Sequence, residues 1–265
     1  MRSAALLAGL AAIAWPVLAE AKEVDVELAL MVDVSRSMGP AELEIQRRGY
    51  AEAITSDEVV NVILNSFTGS IAVTFVEWAG YGLQREIVPW TLIDSREAAE
   101  AVSTQLTADF NYAMRRTSIS GAVDYARESI RSNEFEGLRK VIDISGDGPN
   151  NDGRPVTEAR DIAVEEGLIV NGLPLMTEDS TSRWGIDDLD VYYWECVVGG
   201  PGAFVIPVLD WDDFPLAVRR KLVLELVGPP DVVLAQGRTG QTEDGYDCLI
   251  GEKLRRQRES IWGEP

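Results

Sequence analysis

ALMVDVSRSM, residues 29–38, is an apolar run that ends in an acid and continues into alternating hydroxyls. The residues just before it, VDVEL (24–28), alternate polar and apolar positions. A segment that starts alternating and turns continuously apolar reads as a central strand, buried on both faces along its second half. Asp33 then closes the strand, and Ser35 and Ser37 lie in the loop beyond it. An extended chain aims every second side chain to one side. The spacing of Asp33, Ser35 and Ser37 therefore presents three oxygen-bearing side chains on one rim.

Working outward from this strand, β and α patterns alternate. PAELEIQRRGYAEAIT (40–55) opens with a proline suited to a first helical turn and carries Leu43, Ile45, Tyr50 and Ile54 on an apolar side. Residues 70–79 and 85–93 read as strands, and the short GYG between them predicts a hairpin with one antiparallel edge strand. Asp94 or Ser95 caps a helix through about Leu106. A further helix is predicted over 118–132 and a fourth strand over 139–147, again ending in an acid, Asp147. Next come a helix stopped by Gly167, a fifth strand at 168–175, a helical piece near 186–195, a sixth strand at 202–209 and a last helix at 213–228. This order implies an α/β fold: an open, six-stranded, mostly parallel sheet with one antiparallel edge strand and helices on both faces. From Pro229 the pattern decays, and residues 229–265 read as an extended tail that Cys248 can pin to the body.

Composition bounds the function. The 265 residues are 46% hydrophobic and 26% charged, ordinary for a globular chain, but the formal net charge is −20. A surface this acidic repels phosphates, which excludes nucleic acid as a partner, and it offers no polybasic membrane anchor. The basic run LRRQR (254–258) offsets part of that surface. There is no histidine, so Ser–His–Asp triads, His bases and His-ligated zinc are absent. Residues 1–21 combine Arg2, an apolar stretch broken by Pro16, and small residues at Ala19 and Ala21, which reads as a cleaved secretory signal peptide. Its removal takes away one cation and one anion and leaves the charge at −20. No later segment is long and apolar enough to span a membrane. In an exported chain, the two cysteines, Cys196 and Cys248, are expected to form one disulfide.

In open α/β sheets the ligand crevice lies at the carboxyl ends of the strands. Asp33 and Asp147 sit there with Ser35 and Ser37, and the cluster RRTSISGA (115–122) starts the helix before the fourth strand. Carboxylates and hydroxyls are hard oxygen ligands suited to Mg²⁺, Mn²⁺ or Ca²⁺.

DVSRS resembles the D-x-S-x-S signature of von Willebrand factor A domains, including integrin inserted domains, where it forms the metal-ion-dependent adhesion site. RRTSISGAVDYA is similar to the loop that supplies that family's threonine. VIDISGDG is similar to the strand that supplies its second aspartate. FVEWAG and VVGGPGAFV further resemble a bacterial exported subfamily of uncharacterised function. The resemblance covers residues 24–228. It implies a metal site of Asp33, Ser35, Ser37, Thr117 and Asp147 that holds Mg²⁺ (or Mn²⁺ or Ca²⁺). A Glu or Asp carboxylate from a protein partner would complete the shell, which makes the chain a binding module and not an enzyme. The domain order is then a signal peptide (1–21), the von Willebrand A-like domain (22–228) and a tail (229–265).

Two rivals follow from the same residues. GDGPNND (146–152) resembles the metal motif of haloacid-dehalogenase-type phosphatases, with Asp33 as nucleophile. That signature wants an acid two residues on, where this chain has Ser35, and Asn151 stands where the later acid belongs. A nucleophile without its proton-transfer partner loses on the order of 10²–10⁴ in rate. The other rival is a metal-free structural envelope protein, for which Asp33→Ala would leave every activity intact.

Overall fold

A computed structural model of the chain describes residues 21–108, 114–177, 185–228 and 245–262. The expected signal peptide lies outside the described residues except for Ala21. Five strands form one sheet in the order β3-β2-β1-β4-β5. They are β1 (Lys22–Asp33), β2 (Ile71–Trp78), β3 (Gln84–Ile93), β4 (Phe135–Gly146) and β5 (Ile169–Pro174). β1 is central and pairs in parallel with β2 and β4; β5 is parallel to β4; β3 runs antiparallel at the edge, as the GYG hairpin predicts.

The period of two along β1 divides the interior. Leu28, Leu30 and Val32 pack against α1 (Pro40–Thr55), α2 (Asp57–Leu64), α3 (Arg96–Ala108) and α7 (Phe214–Val227). Ala29 and Met31 face the other way, onto α4 (Ile119–Ser132), α5 (Val156–Glu165) and α6 (Leu189–Tyr192). Each face is covered because each is apolar, so the domain is a three-layer sandwich. The helices begin where local chemistry starts them. Pro40 fills the first turn of α1. Ser56, Ser95 and Ser118 accept the backbone N–H groups of Val59, Ala98 and Gly121, satisfying donors that have no partner inside a first helical turn.

The sheet has five strands, not the six expected. Residues 204–208 do lie parallel to β5: Gly172 N donates to Phe204 O, Ile206 N to Gly172 O, Val208 N to Pro174 O and Met176 N to Val208 O. Only two isolated bridges result, Gly172↔Val205 and Leu175↔Val208. The break falls at Pro174, which has no N–H to continue the ladder.

The extended reading of the tail needs correction over residues 250–262, while residues 229–244 lie outside the described residues. Residues 250–262 form a helix, α8 (Ile250–Trp262), and Cys248 just before it is bonded to Cys196, with 5.6 Å between Cα atoms. Cys196 lies in a single π turn (Tyr193–Val197) that continues α6.

The last helix of the sandwich is fastened by buried charge. Lys221 on α7 pairs with both Asp143 on β4 and Glu225 one turn along, and all three side chains are buried. Asn171 of β5 donates to Glu225 at 3.2 Å, and the Tyr50 hydroxyl of α1 donates to Asp143 at 3.4 Å.

Candidate metal centre

Four of the five expected ligands meet at the carboxyl ends of the adjacent strands β1 and β4. Asp33 Oδ1 accepts the Ser35 backbone N–H at 2.7 Å, a two-residue turn that folds the D-x-S segment back on itself. The Ser35 and Ser37 hydroxyls are 3.0 Å apart, and Ser37 donates to Asp147 Oδ1 at 2.8 Å. Gly146 lets the two carboxylates approach: a Cβ there would stand 3.0 Å from Asp33 Oδ2.

The second oxygens, Asp33 Oδ2 and Asp147 Oδ2, are buried and have no hydrogen-bond partner. A buried acceptor left unmatched is costly, and most such groups in folded proteins are matched. Burial pushes the Asp33 carboxyl well above the usual range, and the Asp147 charge pushes it further. Burial also raises Asp147, to about 6, against the Ser37 hydrogen bond and with the charge of Glu42 adding to the rise. Two acids crowded without a counter-charge are what a divalent cation would relieve.

Thr117 reaches the rim on a neighbouring loop. Met114 N donates to Val34 O at 2.8 Å, and Ser118 N donates to Ala79 O at 2.8 Å, which ties this loop to the ends of β1 and β2. Arg116, directly before Thr117, adopts φ +71°, a left-handed conformation that a non-glycine residue holds only when its surroundings impose it. Thr117 is bonded to the loop after β4: its N–H donates to Asn151 Oδ1 at 3.0 Å, and its carbonyl accepts Asn151 N–H at 2.8 Å. Among the described residues the Thr117 hydroxyl makes no hydrogen bond within the chain. The residues fit a hard divalent ion: two buried carboxylate oxygens without partners, flanked by neutral hydroxyls. Among the described residues no group of three or more His, Cys, Asp or Glu converges, so this donor set depends on its hydroxyls.

Sequence reasoning missed the residues that build the rim. Gln46 Nε2 donates to the Asp33 carbonyl at 3.3 Å. Glu42 accepts from Trp211 Nε1 at 3.0 Å and from Gly39 N at 2.5 Å, closing the start of α1. Tyr193 donates to the Gly146 carbonyl at 3.4 Å. NNDG (150–153) reads as a turn, and Gly153 does adopt φ +83°. Nothing local marks Asn151 as the residue that holds Thr117, because its partner is 34 positions away.

The fold is that of a von Willebrand factor A-like α/β domain. Residues 23–230 match the family described as protein of unknown function (DUF1194), and the chain belongs to that family. No curated protein matches it. The solved structures it is similar to include the pilus adhesin SpaC of Lactobacillus rhamnosus GG, at 12% identity and a TM-score of 0.57, covering 78% of this chain and 31% of that one. A von Willebrand factor type A structure from Catenulispora acidiphila aligns at 13% identity and a TM-score of 0.53, over 77% of this chain and 43% of that one. Proximal thread matrix protein 1 of the mussel byssus, with zinc in its MIDAS motif, aligns at 13% identity and a TM-score of 0.56, over 79% and 47%. The chain thus spans 31% to 47% of the length of these proteins, and the likeness is one of fold.

Proposed function

We propose that this chain is a divalent-cation-dependent protein-binding module that works in the cell envelope or outside the cell. Asp33, Ser35, Ser37, Thr117 and Asp147 would hold the ion, Mg²⁺ or else Mn²⁺ or Ca²⁺. The observation that carries this reading is the pair of buried, unmatched oxygens, Asp33 Oδ2 and Asp147 Oδ2, at the ends of adjacent strands. A bound divalent ion supplies a positive centre with room for one more oxygen ligand. The partner's ligand is a Glu or Asp carboxylate.

The charge around the rim supports an acidic partner. In a chain of net charge −20, Arg36 stands between Ser35 and Ser37, and Arg115 and Arg116 directly precede Thr117. All three are exposed. The bridge between Ser35 and Met114 sets Arg36 and Arg115 side by side, and among the described residues neither has an ion-pair partner. A carboxylate approaching the ion meets cations, not the repulsion of the remaining surface. We assign no catalytic step, since the rim acids serve as ligands and no histidine is present to act as a base near pH 7. The SpaC and mussel structures lend support as an adhesin and as a metal-occupied relative of the fold. The Cys196–Cys248 bond is of a kind that persists in oxidising compartments and supports export. Among the described residues no helix is long and apolar enough to cross a membrane.

The test is calorimetric titration of Mg²⁺, Mn²⁺ and Ca²⁺ into the chain, with Asp33→Ala and Thr117→Ala alongside. Binding at one site, weakened at least tenfold in both variants, is expected. A wild-type chain that takes up none of the three ions overturns the reading.

A further inference from the structure

We propose that α8 is a positioning element for Thr117, acting through Arg255 and Glu252 on residues 150–152; this rests on the metal-site reading above. The disulfide from Cys196 to Cys248 brings the start of α8 to the sandwich. Gly251 then lies directly on Asn150, where a Cβ would collide with the Asn150 carbonyl, so the helix meets the loop backbone to backbone. Glu252 Oε1 accepts from Asn150 Nδ2 at 2.7 Å. One Arg255 nitrogen, Nη1, donates to Asn151 O at 2.9 Å and to Asp152 Oδ1 at 2.8 Å.

The opposite side of these three residues holds the threonine loop. Asn150 Oδ1 accepts Ser120 N at 3.0 Å, Asn151 makes its two bonds to the Thr117 backbone, and the Asp152 carbonyl accepts the Ser118 hydroxyl at 2.8 Å. Each of the three therefore bonds α8 on one side and residues 117–120 on the other. The segment is a polar link between the tail helix and the rim, and it leads to a proposed ligand. The left-handed Arg116 next to Thr117 shows that this loop is shaped by what surrounds it.

The role is separable from folding. Among the described side chains of α8 no apolar one belongs to the buried core; Ile250 only packs against its edge. The helix is held mainly by the disulfide and by polar bonds, so loosening it leaves the three layers of the sandwich intact.

The experiment uses the full chain and reads two quantities: Mn²⁺ affinity by calorimetry, and hydrogen exchange at the amides of Thr117, Ser120 and Asn151. Arg255→Met and the double variant Cys196→Ala/Cys248→Ala are expected to weaken Mn²⁺ binding at least tenfold and to speed exchange at those amides. Exchange in β1 and β4 should stay unchanged. Glu252→Gln keeps an oxygen acceptor for Asn150 and is expected to stay within about twofold of wild type on both readings. Arg220→Ala, on exposed α7 surface, is the control without effect. Unchanged Mn²⁺ affinity in Arg255→Met and the cysteine variant overturns the proposal, whether or not exchange rises. A wild-type chain that binds no Mn²⁺ sinks the metal reading instead. The exchange arm then decides alone, and unaltered exchange in both variants overturns the positioning role.

Discussion

At the scale of single residues, the rim depends on individual donors and acceptors contributed by separate loops. Thr117 contributes its backbone to Asn151 and leaves its hydroxyl free within the chain. Thr117→Ser keeps that hydroxyl, and metal affinity is expected to stay within a few-fold of wild type. Thr117→Val keeps the shape and removes the oxygen, and calorimetry should show at least a tenfold loss. Asn151→Ala strips the Thr117 N–H of its acceptor in a part-buried setting. An unmatched buried donor costs about 1–3 kcal/mol. For a chain of this size each kcal/mol lowers the thermal midpoint by about 2–4 °C. Calorimetric melting that places Asn151→Ala within a degree of wild type would show the bond to be dispensable. The acids and hydroxyls of the proposed site were legible because D-x-S-x-S sits at a strand end. The asparagines were not, because a turn-forming residue and a clamp look alike until the partner is known.

At the scale of elements, the strand and helix assignments came from short-range chemistry, and they failed where pairing decides. Residues 204–208 have strand composition and run beside β5, yet the ladder breaks because Pro174 on the partner strand has no N–H. Pro174→Ala offers the missing donor. The added hydrogen bond contributes about 0.5–1.5 kcal/mol. Loss of the proline's restraint on the unfolded chain removes about 0.4–1 kcal/mol. The two nearly cancel, so the thermal midpoint should move by no more than a few degrees while the new amide at position 174 becomes protected from exchange. Fast exchange there would mean that the amide at 174 does not complete the ladder to residues 204–208. The helix of the tail was missed for a related reason. Its sequence is strongly polar, rich in Arg and Glu, and a disulfide and hydrogen bonds help to anchor it.

At the scale of the whole molecule, α7 is joined to the sheet by one cation between two acids. Lys221, Asp143 and Glu225 leave one negative charge unbalanced in a buried setting. Burial raises the Glu225 carboxyl, Lys221 opposes this and Asp143 adds to it, and the result is a rise from 4.5 to about 7. The folded chain then holds this proton to higher pH than the unfolded chain does. Its contribution to stability is full below about pH 4.5 and is lost as the pH rises through about 7. Thermal midpoints of wild type and Glu225→Gln, compared from pH 5 to pH 7.5, should therefore converge or cross in favour of the variant toward the upper end. Parallel curves would show that Glu225 does not titrate in this window.

The sequence by itself determined the α/β layering, the parallel core with its antiparallel edge, the disulfide partners and the strand-end position of the acids. The layering and the strand ends follow from periods of two and of 3.6 residues and from caps, which act within a few residues of one another, and the disulfide follows from there being only two cysteines to pair. Tertiary structure alone decided that Pro174 stops the sixth strand, that Asp143 meets Lys221 beneath α7, and that a tail helix grips the loop behind Thr117. Each of these joins groups far apart in the chain, and such a pair exists only once packing has brought both partners to one place, because no local period records it.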